Sequence, residues 1–510
     1  MTKYNDLNAD ELRRINSLGQ LKATGYEPRS IKKELRDNLI TKLRNKENVF
    51  EGIWGYEDTV IPDIQRAILS MHNMNLLGLR GQAKTRIARM MTHLLDEYIP
   101  VIKGSELNDD PMQPLSRQGH DMISEMGDDT PVAWLHRSER YTEKLATPDV
   151  SVADLVGDVD PIKAATLKLP YSDERVLHYG LIPRSHRCIF VINELPDLQA
   201  RIQVALFNIL QEGDMQIRGF KLRLPLDIQF VFTANPEDYT NRGSIVTPLK
   251  DRIDSQIITH YPADLAISRK ITAQEALVQD EQTGAIEVFD EARNLVEQVA
   301  IEARQSEYVD PKSGVSARLT ISAFENLMAA AERRRLVNDE DKTAIRLTDF
   351  HGLIPAITGK VELVYEGEQE GAGIVANNLI GKAMRTRFLE YFPDPDQFRK
   401  QKDQNLYKEV VEWFGEGNVV DLMHDDNDAE YRKKLESVPG LKKLVADLHK
   451  DAKGDYVYFL MEFALHGLSE YSQLSKRQIK KGTQFKDLLS SMFSMDGPVL
   501  DDEEDDDDLY

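Results

Sequence analysis

The stretch LLGLRGQAKTRIARMM, residues 76–91, decides how this chain is read. A short apolar run ends at Gly78, a polar loop follows, and from Lys84 onward apolar residues recur at helical spacing. That pattern is strand, loop, helix. Gly78 and the Lys84-Thr85 pair stand where a phosphate-binding loop of the form G-x-x-x-x-G-K-[ST] needs them, but Ala83 takes the place of the second glycine. Such a loop turns successive backbone N–H groups toward a polyphosphate at a helix N-terminus. Its lysine reaches the β and γ oxygens and its hydroxyl holds Mg²⁺. The candidate nucleotide-binding residues are therefore Gly78, Leu79, Arg80, Gly81, Gln82, Ala83, Lys84, Thr85 and Arg86, with ATP and Mg²⁺ as the expected ligands. Ala83 is expected to keep a negative φ, since only a positive φ penalises a Cβ. Taken alone, the stretch also fits an ordinary strand–helix turn.

Two more apolar runs change that balance. HRCIFVINELPDL (186–198) is a strand ending in Asn193-Glu194. A phosphate-loop ATPase needs an acidic residue there to hold Mg²⁺ through water, then a glutamate to polarise the attacking water. Glu194 fits the base. Asn193 lacks the charge of an aspartate, although its amide oxygen still accepts a hydrogen bond from a metal-bound water. IQFVFTANP (228–236) ends at Asn235, a polar group suited to orienting water near a γ-phosphate, and Arg252 follows in LKDRID. A lone arginine of this kind also fits a surface ion pair. Continuous apolar strands suit a parallel sheet covered on both faces by helices.

The chain has 510 residues, too many for one core. Residues 1–45 read as an amphipathic helical extension, 46–262 as the α/β unit and 263–362 as a helical lid in which strands stop. Residues 363–495 read as a further helical region, and 496–510 as an acidic tail expected to be disordered. Hydrophobic content of 41% and charged content of 29% are those of a soluble globular protein. A net charge of −22 argues against a general nucleic-acid binder. No apolar run is long enough to span a bilayer and the N-terminus has no secretory h-region. The single cysteine, Cys188, cannot form an internal disulfide, which fits a reducing cytoplasm, and its place in an apolar strand suits a buried structural thiol.

The segments ADLVGDVDP (153–161), HYGLIPRSHRCIFVINE (178–194) and LQEGDMQIRGFKLRLPLDIQFVFTANP (210–236) resemble, element by element, the AAA+ ATPases of the magnesium chelatase I subunit and MoxR clade, which carry an insert at helix 2. The likeness runs over about residues 46–350 and implies an α/β fold: a phosphate-loop AAA+ parallel-sheet core with a helical lid. The block after 363, mainly helical, has no counterpart in that resemblance. By position, Lys84 and Thr85 match the Walker A pair, Asn193 and Glu194 the Walker B positions and Asn235 sensor 1. Arg252 matches the arginine finger, with Arg242 as the other candidate, and Arg318 matches sensor 2. The resemblance further implies a homo-oligomeric ring, a hexamer, with ATP between subunits and a partner carrying a von Willebrand A-domain. Three functions follow from it: a remodeller of protein clients, a true magnesium chelatase subunit acting on a porphyrin, or a low-turnover ATP-binding scaffold.

Overall fold

The computed structural model describes residues 4, 7–170, 173–212, 214–216, 223–236, 244–400 and 405–488. The chain divides into two compact units, Met1–Pro262 and Ala263–Tyr510.

In the first unit, helix α1 (Ile31–Arg44) starts at Ser30, whose hydroxyl accepts the Lys33 N–H, as an N-cap should. The core then runs through β1 (Met74–Leu77), α2 (Lys84–Met90), β2 (Tyr141–Leu145) and β3 (Cys188–Asn193). It finishes with α3 (Ala200–Glu212), β4 (Ile228–Ala234) and β5 (Ser255–Ile258). The five strands form one sheet in the order β5-β1-β4-β3-β2, and every neighbouring pair is parallel. This is the phosphate-loop α/β core expected from the sequence.

Alternation along the strands explains why both faces are covered. Phe190, Ile192, Phe230 and Phe232 point into one core with Ile202, Leu206 and Ile209 of α3. Ile189, Val191 and Val231 point into the other, against Leu35 and Leu39 of α1 and Ile87 of α2. The register sets Leu77 beside Ala234 and Ile258, Ile192 beside Phe232, and Leu145 beside Asn193. The carboxyl ends of the strands therefore finish level. In open parallel sheets, ligands bind in the crevice at that end.

Helix α1 is locked to this sheet by charge. Arg140, just before β2, donates to both carboxylate oxygens of Glu34 in α1 at 2.7 Å each, and the two side chains are 1% and 3% exposed. Glu34 also accepts the Asp96 N–H at 2.7 Å. Three short antiparallel pairs decorate the core: Tyr98–Ile102 with Val132–His136, Gly157–Val159 with Leu177–Tyr179, and Asp214–Gln216 with Arg223–Pro225.

The second unit corrects the expectation that strands stop after 263. Its helices include α4 (Asp290–Gln305), α5 (Arg318–Val337) and α6 (Ala372–Tyr391). Strands Ile286–Glu287 and Thr343–Ala344 pair in parallel. Then β6 (Val420–Met423), helix α7 (Asp455–Glu470), β7 (Ser475–Ile479) and β8 (Gly482–Lys486) follow, the strands forming an antiparallel sheet in the order β6-β8-β7. One hydrophobic core extends through this unit from Ile286 to Phe485. Among the described residues, no helix is long and apolar enough to cross a membrane. The acidic tail lies outside the described residues.

Candidate nucleotide-binding site

The loop after β1 is held by its own lysine and by the segment after β5. Gly78 N–H donates to Ala234 O at 3.1 Å, continuing the sheet one residue past the strand. A Cβ on Gly78 would lie 1.9 Å from Thr259 Oγ1 and 2.2 Å from Gln82 Oε1, so only glycine fits. Thr259 Oγ1 donates to Gln82 Oε1 at 2.6 Å, the Tyr56 hydroxyl donates to Gln82 O at 3.2 Å, and the Tyr261 hydroxyl donates to Arg80 O at 3.2 Å. The Lys84 ammonium is buried and curls back onto the loop, donating to the carbonyls of Gly78 and, at 3.1 Å, Leu79. Lys84 thus occupies the hollow side of the loop, where a polyphosphate would meet it.

Ala83 departs from the sequence expectation. Its φ is 57° and ψ 15°, in the left-handed region, like Gly81 with φ 73°. The second glycine of the motif normally supplies this conformation without cost; alanine adopts it at a cost of about 1–2 kcal/mol. The reason is geometric: the chain must reverse between Gly81 and the first helical residue, Lys84, and a negative φ at 83 does not make that turn.

Thr85 joins the loop to the end of β3. Its hydroxyl lies 3.4 Å from Asn193 Oδ1, which also accepts from the Thr233 hydroxyl at 3.1 Å. On its other side, Asn193 Nδ2 donates to Glu143 Oε1 of β2. Glu143 Oε2 in turn accepts from Arg89 at 2.9 Å and from the Tyr141 hydroxyl at 3.1 Å. Arg89 lies one helical turn beyond Thr85, so both ends of this chain of contacts return to α2. Tyr141 is driven well above the usual phenol range, first by burial and then by the Glu143 charge. Glu143 fixes which way the Asn193 amide points: a reversed amide would set a carbonyl oxygen against the carboxylate. The amide oxygen therefore faces Thr85. Glu143, Thr233, Arg89 and Thr259 all belong to the site, and the sequence reading does not single them out.

The remaining predicted residues are distributed unevenly. Glu194 follows Asn193 directly, has a left-handed backbone (φ 54°, ψ 52°), and its N–H donates to Thr233 Oγ1 at 3.2 Å. Such conformations in a non-glycine residue concentrate at functional sites. Asn235 is buried at the end of β4, one residue beyond the pair Leu77 and Ala234, level with Gly78. Arg86 is exposed on α2. Arg252 lies against its own chain, donating to Gln211 at 2.9 Å and to Pro248 O at 2.7 Å, with its guanidinium 5.3 Å from the Phe207 ring centre. Arg242 lies outside the described residues. Arg318 opens α5 in the second unit. Cys188 is buried in β3, where burial pushes its thiol up to about 11, so it is an inert packing thiol at neutral pH.

No family model matches the chain. Similar solved structures include NtrX from Brucella abortus, at 12% identity over 78% of this chain and 72% of that one, with a TM-score of 0.34. A Cytophaga hutchinsonii protein named as an ATPase is similar at 15% identity over 72% of this chain and 98% of its own, with a TM-score of 0.27. The BchI–BchD complex of magnesium chelatase is similar at 18% identity over 63% of this chain and 98% of that one, with a TM-score of 0.32. At these values the likeness adds nothing to the fold, which rests on the strand order, the loop and the level carboxyl ends of the sheet.

Proposed function

We propose that this chain is an AAA+-type ATPase that binds ATP at the loop 78–86 and hydrolyses it. The observation that carries the reading is the junction of Thr85 with Asn193. It brings the loop hydroxyl, the end of β3 and the Lys84 ammonium together at the carboxyl edge of a parallel sheet. Lys84 would exchange its loop carbonyls for phosphate oxygens. Thr85 Oγ1 and Asn193 Oδ1 are hard oxygen donors of the kind Mg²⁺ takes, with the Glu143 carboxylate directly behind them. When bound, the ion would offset charge on the β and γ phosphates. Glu194 would take the proton of the attacking water as its oxygen bonds to the γ-phosphorus and the bridging oxygen leaves with ADP. Asn235 would orient that water. The AAA+ resemblance extends this to a ring that remodels a protein client, with Arg252 reaching a neighbour's site, Arg318 closing the lid and an A-domain protein as partner.

A second reading, a nucleotide-binding scaffold of low turnover, is favoured by a specific observation. Asn193 is neutral at the metal position, and Arg252 is already tied to Gln211 and Pro248 of its own chain. Steady-state ATPase assays on the wild type, Glu194→Gln and Arg252→Ala separate the two. A turning enzyme loses roughly 10²-fold or more in Glu194→Gln, the usual worth of a positioned base, and most of its rate in Arg252→Ala with ATP affinity kept. A wild-type rate no higher than that of Glu194→Gln would establish the scaffold.

A further inference from the structure

Asn193 ends β3 at the place where a carboxylate would hold Mg²⁺ through water, and its amide carries no charge. The neighbouring strand supplies one. β2 and β3 run in parallel, with Glu143 beside Val191 and Leu145 beside Asn193. Glu143 and Asn193 therefore lie on the same sheet face as Val191, the face that α2 covers. From there the Glu143 carboxylate reaches along the sheet and accepts from Asn193 Nδ2. Asn193 is 8% exposed, and its Oδ1 lies 3.4 Å from the Thr85 hydroxyl.

This contact does more than a surface ion pair needs. Glu143 already has a cation, Arg89 at 2.9 Å, and the Tyr141 hydroxyl at 3.1 Å, both on Oε2. Those two fix the carboxylate and leave Oε1 to the amide. The Arg89 side chain is 66% exposed, so water screens its charge, whereas Asn193 is buried. An amide that donates to an ion is polarised, and its oxygen becomes a stronger acceptor. Negative charge thus reaches Asn193 Oδ1, the atom that faces Thr85. Partners placed behind a metal's ligands in this way orient them and raise their basicity.

We infer that Glu143 carries the charge that Asn193 lacks. It is a positioning residue on β2 that gives the metal position, through the Asn193 amide, what an aspartate at 193 would give directly. The inference rests on the ATPase reading of the loop and adds the residue that sets its affinity for Mg²⁺. One consequence is specific to it: the charge can be transposed. Asn193→Asp/Glu143→Gln moves the carboxylate to β3 and the amide to β2, and keeps one negative charge and one hydrogen bond between the strands.

The test measures the Mg²⁺ advantage: how much more tightly the full chain binds the non-hydrolysable ATP analogue AMP-PNP with excess Mg²⁺ than with EDTA, by calorimetry. The wild type should bind in both conditions, and more tightly with Mg²⁺. In Glu143→Gln the amide introduced at 143 still accepts from Asn193, so only the charge is removed. That variant should lose about tenfold or more of its affinity with Mg²⁺, the usual worth of a residue behind a metal ligand. Its affinity in EDTA should stay that of the wild type, because Lys84 and the loop are untouched. Asn193→Asp/Glu143→Gln should bring the Mg²⁺ advantage back to that of the wild type. A Glu143→Gln variant with the full advantage, one weakened equally in EDTA, or a double variant no better than the single would overturn the proposal. The second of these would show that Glu143 only holds the site together. A wild type that binds AMP-PNP with no Mg²⁺ effect also overturns it but leaves the nucleotide site standing. A wild type that binds in neither condition removes the ATPase reading itself.

Discussion

Replacing Asn193 by aspartate tests the network around Thr85 more sharply than removing any of its members. On sequence grounds alone, a carboxylate at 193 should strengthen the metal shell, because charge-assisted contacts are about twice as strong as neutral ones. The structure sets a stability cost against that gain. Asn193 Nδ2 donates to Glu143 Oε1, so Asn193→Asp sets two carboxylate oxygens in hydrogen-bond contact. Two like charges about 4 Å apart repel by about 4 kcal/mol at an effective dielectric constant of about 20. Glu143 is 26% exposed and keeps Arg89 at 2.9 Å, which removes part of that, leaving about 1–3 kcal/mol of destabilisation. The pair escapes by holding a proton, so its carboxyl pKa rises above the unfolded value of about 4. A raised carboxyl pKa destabilises the fold at high pH. The variant should therefore match the wild type below about pH 4 and lose stability progressively as pH rises through the raised value. Adding Glu143→Gln restores the contact in mirror image, with the amide introduced at position 143 donating to the carboxylate introduced at 193. Urea denaturation at about pH 5 and about pH 8, with Mg²⁺-dependent ATPase on the same samples, should show Asn193→Asp less stable at the higher pH and the double variant recovered. Additivity of the two changes within about 0.5 kcal/mol would refute the coupling.

Ala83→Gly should raise stability by up to about 1.6 kcal/mol: it removes a left-handed alanine worth about 1–2 kcal/mol and loses about 0.4–1 kcal/mol through the freer unfolded chain. Thermal melts decide this, and a destabilised glycine variant would show that the left-handed turn is not strained. Arg140→Met should lower the stability of the chain by about 3–5 kcal/mol by leaving the Glu34 carboxylate buried and unpaired, while Glu34→Leu/Arg140→Met should regain most of the loss. Equal urea midpoints for the single and double variants would contradict that reading.

How much of the molecule is legible in the sequence depends on how each strand is buried. The strands β3 and β4 are apolar on both faces and announce themselves as CIFVIN and IQFVFTA, so the order of loop, Glu194 and Asn235 can be read directly. The edge strand β2, YTEKL, has no fully buried residue and reads as polar loop; with it goes Glu143, the residue that orients Asn193. The backbone at Ala83 escapes the sequence because the residue's identity says nothing of its φ, which the reversal between Gly81 and Lys84 imposes. In the second unit, β7 is SKRQI and β6 only four residues long, too short and too polar to stand out among helices.

The central claim, that the loop 78–86 is a nucleotide site, is tested most directly by calorimetric titration of ATP with Mg²⁺ into the wild type and Lys84→Ala. The wild type should bind one ATP per chain. Lys84→Ala should show no saturable heat, because the buried ammonium that curls over the Gly78 and Leu79 carbonyls is the main positive charge facing the phosphates. Equal affinity in the two proteins, or no binding in either, would contradict the account.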